Sequence, residues 1–124
     1  MIDSLTDQWR RRRWSTPRYT TVRRCARMSD LPQLPPRRTV IVVGPPEREQ
    51  WVVFTCPCGH QHRIVLNLSA HRHPRWALTL DEDEPSLYPS IDSKTEQRRC
   101  HFWLKAGRVQ WAVDQARSAK LRGG

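Results

Sequence analysis

The chain has 124 residues and a net charge of +10, with six tryptophans, four cysteines and five histidines. That length suits one domain with tails, and the tryptophans argue for apolar burial rather than an acidic disordered chain. The sequence contains no run of eighteen apolar residues, which excludes a membrane-spanning helix, and the start MIDSLTDQWRRRRW lacks the apolar segment of a secretory signal, so the expected compartment is the cytoplasm, with no membrane partner.

Residues 1–38 read as a basic, Pro-containing flexible arm: ten arginines against three aspartates, ending in LPQLPPRR, whose prolines disfavour helix. From Thr39 the pattern changes. Short runs rich in β-branched and aromatic residues follow one another: TVIVVG, QWVVFT, RIVLNL, RWALTL, then CHFWL and RVQWAV. GPPERE, PCGH, SAHRHP, DEDEPS and KAGR supply turn chemistry between them. Residues 39–113 are therefore expected to form a mainly β domain of five to seven strands, a small antiparallel sandwich or rolled sheet. In the last hairpin Phe102 and Leu104 share one face, His101 and Trp103 the other, and Gly107 frees the turn. Residues 114–124 are expected to be a short helical or disordered tail, and they end KLRGG, similar to the processed terminus of ubiquitin.

The segment TCPCGHQHRI places Cys56, Cys58, His60 and His62 at alternate positions, with Pro57 and Gly59 allowing the chain to bend around an ion. In a reducing compartment cysteines clustered with histidines point to metal ligation, and Cys56 and Cys58 are too close to pair easily as a disulfide. A tetrahedral zinc site usually draws ligands from two segments, and the second is expected at Cys100 and His101. The metal candidates are thus Cys56, Cys58, His60, Cys100 and His101, with His62 an alternative fourth ligand. On an extended strand Cys100 and His101 point to opposite faces, so both bind one ion only if the chain bends there. His71 and His73 are weaker candidates, and Cys25 reads as an unpaired thiol in the arm.

The succession CPCGH, IVLNL, PRW, LYPSI, HFWL, RVQW, over about residues 50–112, resembles a family of small bacterial proteins of unknown function encoded beside ubiquitin-like proteins and their conjugating enzymes. The resemblance carries over Cys56, Cys58 and His101. It departs where His60 stands in place of a family cysteine and where Arg98 stands in place of another. It implies a zinc protein of a ubiquitin-like pathway, as a metal-dependent peptidase or accessory factor, with a ubiquitin-like protein or its conjugating machinery as partner. Asn67 and Ser90, in the resembling segments, would then be polar groups that orient His101 or contact substrate. No HExxH motif is present. Glu96 and Asp92 are the acidic residues nearest the second ligand segment in sequence. The alternative is a nucleic-acid-binding protein with a structural zinc, in which Arg10, Arg11, Arg12, Arg13, Arg23 and Arg24 meet phosphates.

Overall fold

A computed structural model of the chain describes residues 18–112. Eight strands follow in order: β1 (Thr21–Cys25), β2 (Thr39–Val43), β3 (Trp51–Thr55), β4 (Arg63–Asn67), β5 (Ala77–Asp81), β6 (Glu84–Lys94), β7 (Arg99–Lys105) and β8 (Arg108–Trp111). They form two four-stranded sheets, β1-β2-β3-β4 and β5-β6-β7-β8, antiparallel except where β1 pairs with β2. The sandwich expected from the sequence is what forms.

Its core lies between the sheets. Val40, Val42, Val52 and Phe54 of the first sheet face Leu87, Ile91, Phe102 and Leu104 of the second. The Phe54 and Phe102 rings meet edge-on at 6.3 Å, and Phe54 also takes Tyr19 edge-on at 5.2 Å. Both phenylalanines are fully buried, so truncating either to alanine would cost roughly 3–5 kcal/mol. β2 is buried along its whole length because its second face is covered as well. Ile41 and Val43 pack there with Val53 and, partly buried, Cys25, Met28, Leu31 and Trp51.

Two strands were not among the expected runs. β1 lies in residues 18–38, which the sequence assigns to the flexible arm. It pairs through its backbone as a parallel edge strand, and buried Tyr19 just before it donates its hydroxyl to the Thr55 carbonyl. TVRRC has little apolar alternation to reveal it. β6 carries Pro85 and Pro89, which argue against a central strand because proline has no N–H to give the ladder. The register against β7 shifts between Leu87 and Ile91, a bulge that accommodates Pro89. The expected β7–β8 hairpin forms with Ala106 and Gly107 both at positive φ, the two-residue turn whose twist matches the strands. A Cβ on Gly107 would meet the Tyr19 carbonyl oxygen at 2.5 Å, so glycine is required there. The tail, residues 114–124, lies outside the described residues, as do Arg10 to Arg13.

Candidate functional site

The β3–β4 hairpin builds the first half of a cluster. Thr55 pairs with Arg63, and the Cys56 N–H donates to the His62 carbonyl at 2.8 Å, so Cys56 and His62 face each other across the loop mouth. Gly59 and Gln61, both at positive φ, turn the chain between them. Cys100, pointing inward from β7, approaches from the other sheet. The donor atoms of Cys56, Cys58, His62 and Cys100 all lie within 4.8 Å of one another.

These residues fit a metal ion. Tetrahedral zinc takes sulfur at about 2.3 Å and nitrogen at about 2.0–2.1 Å, which sets its ligand atoms at separations the cluster nearly matches. The His62 Nε2 atom is buried and has no hydrogen-bond partner, while its Nδ1 lies 3.4 Å from Cys58 Sγ. Burial, with the positive neighbours His60 and Arg98, holds the His62 imidazole toward its neutral, ligating form. Burial pushes the Cys56 and Cys100 thiols up, with neighbouring thiolates adding to the effect. A divalent cation would reverse that preference by stabilising the thiolates. The protein therefore has a Cys3His cluster able to hold a metal ion.

Its membership differs from the sequence expectation at two positions. His60 is exposed and its Nδ1 sits 3.0 Å from the Cys58 carbonyl, outside the cluster. Five residues separate Cys56 from His62, and the hairpin register returns His62 rather than His60 to Cys56. His101 is also outside it. The β7 chain does not bend, so Cys100 faces the core and His101 faces the opposite side of the second sheet. His71 and His73 stand exposed in the β4–β5 connection, away from the cluster.

On that outer side His101 meets a different partner. Its Nε2 lies 2.9 Å from Ser90 Oγ. Ser90 falls in the bulged part of β6, where bulges commonly re-aim a side chain, and the Trp76 indole N–H donates to its carbonyl at 3.3 Å. Asp92, two residues along β6, pairs in register with His101. Its carboxylate accepts Nε and Nη2 of Arg99 at 2.9 and 2.8 Å. Those hydrogen bonds, with the positive charges of Arg99 and His101, hold Asp92 below the usual carboxylate range. Both Ser90 and His101 are half-buried, and each keeps a solvent-facing side.

The remaining expected residues within the described chain are placed as follows. Asn67 is buried and organises the β4–β5 connection, donating to the carbonyls of Ser69, Arg72 and Pro74 and accepting from the Ser69 N–H. It is a loop organiser, away from His101. Arg24 is held by Glu49 at 2.6 Å, and Arg23 lies beside it on β1. No helix among the described residues is long and apolar enough to cross a membrane.

A small β sandwich with a Cys3His cluster inside and a serine–histidine pair outside is thus the class that fold and site define. The sequence profile of the family described as bacterial ubiquitination-like system serine protease, BubE, matches residues 27–112, and the chain belongs to that family. No curated protein and no solved structure matches it.

Proposed function

We propose that the protein is a serine peptidase of a bacterial ubiquitin-like pathway, cleaving an amide or isopeptide bond at the C-terminus of a ubiquitin-like protein. The observation that carries this reading is the 2.9 Å contact between Ser90 Oγ and His101 Nε2 on a solvent-facing sheet. A serine hydroxyl is a weak nucleophile until an adjacent base takes its proton, and this distance is within hydrogen-bond reach. The family description supplies the reaction class and pathway.

In the reaction, Ser90 Oγ attacks the carbonyl carbon as its proton passes to His101 Nε2. The tetrahedral intermediate collapses, the C–N bond breaks, and His101 returns the proton to the departing amine. Water, deprotonated by His101, then hydrolyses the acyl-serine ester and frees Ser90. Asp92, across the β6–β7 ladder, contributes negative charge beside the imidazolium, and Arg99 fixes that carboxylate.

Zinc is the metal whose chemistry suits the three thiolates and one imidazole of Cys56, Cys58, His62 and Cys100. Held by these four residues, it would have no open position for substrate or water and would act as a cross-link between the β3–β4 hairpin and β7. This reading replaces metal-activated hydrolysis, for which the sequence pointed to His101. A fluorophosphonate probe tests it: the wild-type chain should gain one adduct, mapped to Ser90 by peptide mass spectrometry, while Ser90→Ala and His101→Ala should gain none. Labelling elsewhere, or none in the wild type, would sink the proposal.

A further inference from the structure

The outer face of the second sheet carries more than the serine–histidine pair. Trp103 stands two residues beyond His101 on the same face of β7, and Tyr88 two residues before Ser90 on β6. Their rings meet at 6.2 Å with planes tilted by 38°, and Tyr88 is 70% exposed. The Lys105 ammonium lies 5.1 Å over the Trp103 ring. Beside the rings is a depression of about 160 Å³ with small residues on its floor, Ala77, Thr79 and Ser86. Exposed aromatic surface next to a nucleophile costs solvation unless something covers it during the reaction.

We infer that this depression is the specificity subsite of the peptidase, and that it takes one apolar side chain, of leucine or phenylalanine size, from the extended peptide being cleaved. The inference rests on the reading of Ser90 and His101 as the reacting pair. Three features fix the occupant. The volume matches one side chain, since a cavity of about 150 Å³ holds a benzene. The lining offers aromatic faces and methyl groups, with Lys105 as the one charged group, so a cationic side chain is disfavoured and an acidic one finds no second partner. The position is continuous with the reacting pair: two residues of strand span about 7 Å, which an extended substrate also covers in two residues. The apolar side chain should therefore stand within two residues of the scissile bond.

The test uses full-length chains and blocked pentaglycine peptides in which one position at a time is Leu, Phe, Ala, Asp or Lys. Affinity is measured on the Ser90→Ala chain, where no turnover intervenes, and cleavage on the wild type. At one position the Leu or Phe peptide should bind at least about tenfold tighter than the Ala peptide, with Lys weakest. That ratio should fall to near one when Trp103→Ala is added. Tyr88→Ala, at a largely exposed side chain, should reduce it too and serves as the second variant should Trp103→Ala misfold. Equal affinity across the panel, no binding at all, a preference for Asp, or a Leu preference that survives both aromatic substitutions would overturn the subsite. Selective binding without wild-type cleavage would leave the subsite standing and remove the peptidase reading, whereas cleavage without selectivity would do the reverse.

Discussion

Cys100 and His101 are neighbours in sequence and belong to different halves of the molecule. Cys100 points between the sheets, where it joins buried Cys56 and partly buried Cys58 and His62. His101 points out of the second sheet, where it meets Ser90 and is half-buried. On the proposed reading the same strand carries a stabilising element on one face and a reactive one on the other. What separates them is the two-residue period of a strand, which turns adjacent side chains to opposite sides. A Cys3His cluster and a half-buried hydroxyl–imidazole pair can then be tuned independently.

The largest effect that tests this division is on chemistry. Ser90→Ala should lower hydrolysis by at least about a thousandfold, since the nucleophile of a coupled pair is removed, while metal content and melting temperature stay at wild-type values. Parallel peptidase assays, elemental analysis and calorimetry would check it; lost metal would show that the two faces are not independent.

Next in size is the inner face. Cys58→Ser should release the metal and cost several kcal/mol, because thiolate ligation to a structural ion is folding free energy in such small domains. His62→Ala should do the same, and His60→Ala should retain the full metal complement. Metal-to-protein ratio with thermal unfolding separates these variants. A His60→Ala chain that loses its metal would contradict the cluster described above.

Smaller changes sharpen the outer face. Trp76→Phe removes the indole N–H that holds the Ser90 carbonyl, worth about 1 kcal/mol, so kcat should fall roughly fivefold with metal content unchanged. Asp92→Asn should have the least effect on stability. Asp92 and Arg99 are both more than a third exposed, which limits their pair to at most about 0.5 kcal/mol. Because Arg99 and His101 depress the folded-state pKa of Asp92, its contribution is present above the ordinary carboxylate pKa of about 3.9 and is lost as pH falls through the lower folded value. Acid titration of the wild type should therefore show a small stability loss below about pH 4 that Asp92→Asn lacks. A loss of equal size in both chains would remove Asp92 from the account.

How much of this was legible in the sequence depends on where the information sits. The β7–β8 hairpin was readable because alternation and Gly107 are local signals. Cys56, Cys58 and Cys100 were readable because thiols in an apolar context have few other uses. His62 was harder, since its selection over His60 depends on the hairpin register from Thr55 to Arg63. The Ser90–His101 contact was the least accessible as a reacting pair. It spans β6 and β7 across a bulge that two prolines disguise, and no local motif surrounds the serine. The alternation rule stated only the condition under which Cys100 and His101 could share an ion, a bend in the chain, and left it open; β7 runs straight there and the two residues face opposite sides. β1 stayed hidden because a parallel edge strand pairs through backbone groups that carry no sequence mark.

The most direct test of the division between the two faces is His101→Ala, assayed for metal by elemental mass spectrometry and for hydrolysis on the same preparation. The account predicts about one metal ion per chain, as in wild type, with hydrolysis reduced at least about a thousandfold. Loss of the metal together with the activity would place His101 among the ligands and contradict it.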